Sequence, residues 1–200
     1  MDLIQPLNVG IFLYDEVEVL DFAGPYEVFS TTMRNKENLF NVKTISENGN
    51  AIYARHGLKV LPDLSLQEAN NLDILIIPGG CGVDEIENFN KEVFQWIKIQ
   101  KRKLKILASV CTGAFLLAES GLLNGRKATT HWMDIQRLQN DYPQIEVLRH
   151  VRFVDEGDII TAAGISAGID MSLFIVAKLF GYSIAANTAK RMEYAIDFKI

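Results

Sequence analysis

The stretch that decides the fold is KILASVCTGAFLLAESG, residues 105–121. An apolar run at residues 106–110 predicts a buried strand, and the helix-favouring residues 114–118 follow almost at once. Cys111 therefore lies at a sharp turn from a strand into a helix, where a side chain is exposed above the carboxyl edge of a sheet. The free N–H groups at the helix start should favour the thiolate, the reactive form of cysteine. The alternative is that Cys111 is a small buried hydrophobe, as free cysteines often are.

Strands and helices alternate along the rest of the chain. Nearly continuous apolar runs predict strands at residues 7–14, 40–45, 72–77, 106–110 and 159–163. Helices are predicted at residues 26–33, 92–102, 114–118, 133–140, 166–180 and 183–195, and a short hairpin at residues 51–62. This alternation predicts an α/β fold: a doubly wound, mostly parallel sheet with helices on both faces. A chain of 200 residues fits a single domain, residues 1–200, because this length buries a full core.

The charge balance excludes several kinds of partner. The chain has 20 Lys and Arg against 25 Asp and Glu, a formal net charge of −5, so it offers no basic field to nucleic acid or to an anionic membrane. The first residues do not form a signal peptide, and no apolar run reaches the length of a membrane span. Two cysteines, Cys81 and Cys111, are too few for a disulfide scaffold and wrongly spaced for zinc. We therefore expect a cytoplasmic protein.

Three segments are expected to meet at the carboxyl edge of the sheet, where ligands of such folds bind. They are the loop at residues 15–21, the loop at residues 78–82 and Cys111. Gly79 and Gly80 have no side chains, so their N–H groups can approach a reacting atom and form an oxyanion-type hole with the N–H of Thr112. The alternative is a glycine turn selected only for its backbone angles. The glycines do not complete a dinucleotide-binding fingerprint.

Asp21 is the most informative acidic residue, because its neighbours in the sequence are apolar. The next helix is predicted to begin at Pro25, with Gly24 as its N-cap, so Asp21 is expected in the preceding loop. Desolvation beside a thiolate would raise the pKa of the Asp21 carboxyl and let it hold a proton for transfer. His131 is either a base or orienting partner for Cys111 or a structural histidine.

Several other candidates are set aside. The segment GISAG at residues 164–168 matches the Gly-x-Ser-x-Gly motif of serine hydrolases, but no histidine follows His150 to complete a triad. Ser166 is instead interpreted as a helix N-cap. The other acidic residues of the first loop are interpreted as loop charges: Asp15, Glu16 and Glu18. Cys81 is interpreted as a neighbour of the site without a chemical role, and His56 and His150 are given no role.

Five motifs, in order along the chain, together resemble the ThiJ/PfpI superfamily, a flavodoxin-like group related to class I glutamine amidotransferases. They are VLDFAGP (19–25), DILIIPGG (73–80), SVCTGA (109–114), GLLNGRKATTHW (121–132) and GISAGID (164–170). The likeness covers essentially the whole chain, and several ordered motifs are more specific than any one of them. The resemblance implies a flavodoxin-like fold and a homodimer.

Two branches of the superfamily are similar to this chain: isonitrile hydratase, which adds water to R–N≡C to give an N-substituted formamide, and the ligand domain of AraC-type regulators. The hydratase resemblance implies that Cys111 is the nucleophile, that Asp21 is the general acid and base, and that Thr112 belongs to the catalytic set. It implies a small-molecule substrate and neither a metal nor an organic cofactor. Much of the superfamily has a glutamate where this chain has Asp21, which favours the hydratase branch.

The resemblance leaves two alternatives open. One is a glyoxalase or amidase that uses the same thiolate. The other is a small-molecule or redox sensor that binds through Cys111 and catalyses nothing. The regulator branch carries a helix-turn-helix after this domain, whereas the printed sequence ends at Ile200 with no basic segment to bind DNA, so no nucleic-acid partner is expected.

Overall fold

The computed structural model describes residues 5–81, 83 and 89–196, so Gly82 of the predicted glycine loop lies outside the described residues. The described strands, in chain order, are β1 Leu7–Phe12, β2 Met33–Arg34, β3 Glu37–Asn38, β4 Phe40–Ser46, β5 Ile52–Tyr53, β6 Lys59–Val60, β7 Leu64–Ser65, β8 Ile74–Ile77, β9 Ile106–Val110, β10 Lys127–Ala128, β11 Glu146–Val147, β12 Phe153–Asp155 and β13 Ile159–Ala162. The helices are α1 Val19–Thr31, α2 Lys91–Lys101, α3 Gly113–Glu119, α4 Ile135–Asp141, α5 Ala167–Phe180 and α6 Tyr182–Arg191.

A seven-stranded sheet in the order β12-β13-β9-β8-β1-β4-β7 forms the centre of the molecule. All neighbouring strands are parallel except β12, which pairs antiparallel with β13 at one edge. The connection β1–α1–β4 steps one way along the sheet and β8–α2–β9 steps the other way. Because such crossovers are right-handed, the two helices lie on opposite faces. The predicted doubly wound, mostly parallel α/β fold is therefore confirmed.

The two central strands are apolar because both of their faces are covered. Every residue of β8 and of β9 is buried, and α1, α3 and α5 all contact β8 or β9. The strand connections run outward in opposite directions from the neighbouring parallel strands β1 and β8, which makes this position a topological switch point. The carboxyl ends of β9, β8 and β1 lie side by side there. This edge of the sheet holds the candidate site.

The first helix begins earlier than the sequence predicts. It starts at Val19 and includes Asp21, Gly24 and Pro25, so the prediction of a loop up to a helix start at Pro25 is wrong. A Cβ added to Gly24 would lie 2.9 Å from the side chain of Ile169 on α5. A glycine is thus needed at this position to let α1 approach α5, and not to cap a helix.

The remaining differences concern the last helix, short elements and one cap: α6 ends at Arg191 and not at residue 195. The ambiguous segment at residues 51–62 contains the antiparallel pair β5–β6, as suggested, whereas the two-residue strands β2, β3, β7 and β11 and the edge strand β12 were not predicted. Ser166 precedes α5 but makes no side-chain cap. Ser166 does occupy the N-cap position, as interpreted, but its hydroxyl accepts a hydrogen bond from Arg152 Nη2 at 3.2 Å instead of capping the helix.

Candidate active site

Three adjacent strands position the site. Asp21 lies in the first turn of the helix after β1, Gly79 and Gly80 follow β8, and Cys111 follows β9. The backbone ties the first two segments together: Glu18 N–H donates to the Gly79 carbonyl at 2.8 Å, and a single antiparallel bridge joins Val17 to Gly80.

Cys111 occupies a strained turn between β9 and α3. Its φ of 56° lies in the left-handed region that non-glycine residues seldom adopt. Its N–H donates to the carbonyls of Ala162 and Ala163 at 3.2 and 3.0 Å, which anchors the turn to the end of β13. A Cβ on Gly113 would collide with the carbonyl of Ile77, so only glycine lets α3 begin this close to β8. The predicted sharp turn from strand to helix is present.

Asp21 is a completely buried carboxyl group. Its Oδ2 accepts a hydrogen bond from the Gly79 N–H at 3.0 Å, whereas Oδ1 has no partner with hydrogen-bond geometry among the described residues. The pKa of Asp21 is raised from 3.8 to about 7, mainly because burial disfavours the charged form. The Gly79 hydrogen bond opposes this rise, and the negative charge of Glu18 adds to it. A hydrogen bond from the Cys111 thiol lowers the pKa by a smaller amount. Near neutral pH the carboxyl can therefore both accept and release a proton.

The Cys111 thiol does not have the depressed pKa that the sequence predicts. The pKa of Cys111 is raised from 9.0 to about 12, first by burial, then by the charge of Asp21 and least by the charge of Asp134. The N–H groups of Thr112 and Ile165 lower it, but by less than burial and Asp21 raise it. The helix start does favour the thiolate, but desolvation is the larger effect. At neutral pH the resting pair is a thiol beside a carboxyl group that is about half ionised.

Thr112 and the two glycines form one hydrogen-bonded unit. The Gly80 N–H donates to Thr112 Oγ1 at 2.9 Å, and this hydroxyl donates to the Gly80 carbonyl at 3.3 Å. A Cβ on Gly79 would lie 2.5 Å from both the backbone N and Oγ1 of Thr112, so glycine is required there for steric reasons.

The donors available for an oxyanion-type hole agree with the prediction at Thr112 and differ from it at the two glycines. Both glycine N–H groups are already used, by Asp21 and by Thr112, so they do not aim at the sulfur. The N–H groups that hydrogen-bond Cys111 belong to Thr112 and Ile165. Ile165 has a φ of 46°, a strained conformation for a β-branched residue. The prediction missed Ile165 because it lies far along the chain, inside the serine-hydrolase-like segment.

His131 lines the same cavity as Cys111. Its Nδ1 accepts a hydrogen bond from the Met133 N–H at 3.4 Å and lies 3.6 Å from an Asp134 carboxylate oxygen. Its ring occupies the space that a side chain at Gly164 would need. His131 therefore reaches the site, with Nδ1 engaged by its own loop.

The cavity above Cys111 has a volume of about 320 Å³. Its rim includes residues to which the sequence assigned no part: Glu18, Arg55, Cys81, Met133, Asp134 and Ile165. Glu18, interpreted as a loop charge, forms an ion pair with Arg55 at 3.0 Å. Asp134 was missed because it comes close to Cys111 only in the folded chain. Both cysteines are free, Cys81 exposed and Cys111 buried.

A family model for DJ-1/PfpI proteins matches residues 8–178. The chain belongs to the DJ-1/PfpI family. The family resemblance found in the sequence motifs is thus confirmed, and the buried Asp21, the glycine loop and the strained Cys111 all lie within the matched DJ-1/PfpI segment.

Individual DJ-1/PfpI relatives have different functions. The chain is 30% identical over 191 residues to an isonitrile hydratase from Pseudomonas putida, covering 94% of this chain and 79% of the relative. It is also 30% identical over 173 residues to the HTH-type transcriptional regulator CdhR from Pseudomonas aeruginosa, of which it spans about half the length (86% of this chain, 51% of the relative). The solved structure of Drosophila melanogaster DJ-1beta superposes with a TM-score of 0.83 at 21% identity, covering 96% of this chain and all of that one.

Within residues 5–81, 83 and 89–196, no three His, Cys, Asp or Glu side chains are grouped so that they could hold a metal ion. In the same part of the chain, no helix has the length and hydropathy needed to cross a membrane.

The raised pKa of Asp21 predicts how the stability of the folded protein depends on pH. Between pH 3.8 and about 7 the folded state keeps a proton that the unfolded state has released, so stability should fall as pH rises through this window. Asparagine does not ionise, so Asp21→Asn avoids the cost of burying a charged carboxylate at high pH. Its free energy of unfolding should exceed that of the parent by up to about 4 kcal/mol at pH 8 and differ little near pH 4. Urea unfolding at both pH values measures this, with the exposed Asp15→Asn as control. Equal pH dependence in parent and Asp21→Asn would contradict the raised pKa.

Proposed function

We propose that this protein adds water to isonitriles to give N-substituted formamides. The observation that carries the proposal is the buried carboxyl of Asp21 beside the Cys111 thiol, with a pKa of about 7. Addition of a thiol to R–N≡C requires the sulfur to lose its proton and the terminal carbon of the isonitrile to gain one. A carboxyl group poised near neutral pH can perform both transfers. The similarity to the isonitrile hydratase supports the proposal.

The first half of the reaction forms a thioimidate. The Asp21 carboxylate takes the proton of the Cys111 thiol, and the resulting thiolate attacks the terminal carbon of the isonitrile. Asp21 then delivers the proton to this carbon, which would otherwise carry a negative charge. One C–S and one C–H bond form, and the product is R–N=CH–S–Cys111. The N–H groups of Thr112 and Ile165 stabilise the thiolate as it forms.

The second half releases the formamide. The regenerated Asp21 carboxylate takes one proton from a water molecule, whose oxygen attacks the thioimidate carbon. The other proton of the water passes to the nitrogen as the carbonyl forms, and the C–S bond breaks. The departing sulfur recovers the proton held by Asp21, so R–N≡C and one water give R–NH–CHO with both residues restored. Neither half of this sequence requires a metal or an organic cofactor.

The test is incubation of the reduced protein with an alkyl isonitrile. Formamide should appear by NMR, and intact mass spectrometry after acid quenching should show an adduct of the isonitrile's mass on Cys111. No formamide from a panel of alkyl and aryl isonitriles, with Cys111 shown to be reduced, would contradict the hydratase proposal.

A second candidate is a sensor that binds a small molecule through Cys111 and catalyses nothing. It is favoured by the similarity to a transcriptional regulator. A stable Cys111 adduct that forms without turnover would support this candidate over the hydratase, and over a glyoxalase or amidase.

We also propose that the protein acts in the cytoplasm as a homodimer, without nucleic acid or membrane as a partner. Two free cysteines suit a reducing compartment, and the formal charge of −5 suits neither DNA nor anionic lipid. Light scattering coupled to size-exclusion chromatography tests the dimer: a mass near twice 22.5 kDa supports it and a mass near 22.5 kDa contradicts it.

A further inference from the structure

A second, larger cavity adjoins the one above Cys111. Its volume is about 600 Å³, within the usual range for small-molecule sites. His131 and Ile165 line both cavities, so the two cavities meet at these residues. The hydroxyl of Thr130, another lining residue, donates to the Cys111 carbonyl at 2.8 Å. The second cavity therefore begins directly behind the strained turn that carries the sulfur.

The charge of the second cavity is unbalanced. None of its lining residues is acidic, and two of them are arginines. Arg152 is neutralised, because its guanidinium forms an ion pair with Asp170 at 2.5 Å. Arg149 donates from Nη2 to the neutral amide oxygen of Gln136 at 2.6 Å, and no carboxylate of the described residues forms an ion pair with it. The Arg149 guanidinium, on the exposed side of the cavity, thus presents a positive charge that no carboxylate of the described residues pairs with.

The same cavity has an apolar surface next to this charge. Trp132 is 76% exposed at its rim, and Ile135 and Val151 contribute further hydrocarbon. An exposed tryptophan beside an arginine suits a ligand with an apolar body and an anionic end. A carboxylate is a small organic anion that matches the planar guanidinium with two parallel hydrogen bonds.

We propose that the second cavity binds the N-substituent of the isonitrile and that Arg149 binds a carboxylate at its far end. This inference rests on the proposed hydratase function, and it assigns the substrate class as isonitriles that carry a carboxylate. The isonitrile carbon lies at Cys111, the body of the substituent passes His131 and Ile165, and the carboxylate supplies the counterion of Arg149.

The test compares charged and neutral substrates of equal length. Isocyanoacetate and 6-isocyanohexanoate are each assayed beside their methyl esters. For at least one length, kcat/KM should be about tenfold or more higher for the carboxylate, which is the size expected for one charge-assisted contact. Arg149→Gln should abolish this preference by lowering kcat/KM for the carboxylate towards that of its ester. Arg102→Gln, which removes the same charge at the end of α2, should keep the preference.

Two results would overturn the inference. One is equal kcat/KM for carboxylate and ester at both lengths, and the other is a preference that survives in Arg149→Gln. If no isonitrile is hydrated, the proposed function fails, and the cavity is tested separately by calorimetry with 6-formamidohexanoate. Binding that weakens about tenfold in Arg149→Gln and not in Arg102→Gln keeps the carboxylate site, and equal or absent binding in parent and Arg149→Gln removes it.

Discussion

Cys111→Ser should reduce isonitrile hydration by about three orders of magnitude or more. The hydroxyl that replaces the thiol is a much weaker nucleophile, and the neighbouring Asp21 is too weak a base to ionise an alcohol. The strained turn, the N–H groups of Thr112 and Ile165, and the cavity should remain, so the variant should fold and still bind its ligand. The measurement is the steady-state rate of formamide release under conditions in which the parent is saturated.

Cys81→Ser is the matched control for this experiment. Cys81 is exposed at the rim of the same cavity, so its replacement should reduce the rate by less than about tenfold. A Cys111→Ser variant that keeps a tenth or more of the parental rate would exclude a covalent thioimidate. Asp21 would then have to activate water for direct attack on the isonitrile.

Asp21→Asn should abolish turnover while Cys111 stays reactive towards iodoacetamide. An amide cannot take the thiol proton or return it to carbon, so kcat should fall by a factor of at least about a thousand. The charge of Asp21 contributes to the high pKa of the Cys111 thiol, so alkylation at pH 8 should be as fast as in the parent or faster. A slower alkylation would contradict the expectation that the Asp21 charge holds the thiol in its neutral form.

The pH profile of the parent tests the same role of Asp21. The ionised carboxylate is the form that accepts the thiol proton, so kcat/KM should rise with pH through about 7 and then reach a plateau. The rising limb should be absent from the residual activity of Asp21→Asn. Unchanged turnover in that variant would remove Asp21 from the mechanism.

Much of the architecture was predictable because short segments of the sequence are enough to identify its central strands and the turn at Cys111. The strands β8 and β9 are covered on both faces, and such strands are continuous apolar runs that need no tertiary information to recognise. The turn at Cys111 was predictable for a similar reason, since a buried strand passes into a helix within two residues. Asp21 was singled out because a carboxylate among apolar neighbours indicates burial, and it is completely buried.

The errors arise where distant parts of the chain decide the outcome. Proline at position 25 favours a helix start locally, but α1 begins six residues earlier, at Val19, and packs against α5. The helix start beside Cys111 is a local influence on its pKa, whereas the burial that outweighs it comes from the whole sheet edge. Ile165 and Asp134 reach Cys111 only through the tertiary fold, so no short pattern identifies them.

The three segments of the site are separated by about 60 and 30 residues along the chain but follow three adjacent strands, β1, β8 and β9. No fragment that lacks one of these strands can contain a working centre. Because parallel strands pair only after long loops close, this part of the sheet should form slowly. During refolding from urea, the return of enzymatic turnover should therefore coincide with the slowest step of native structure formation and should not precede it.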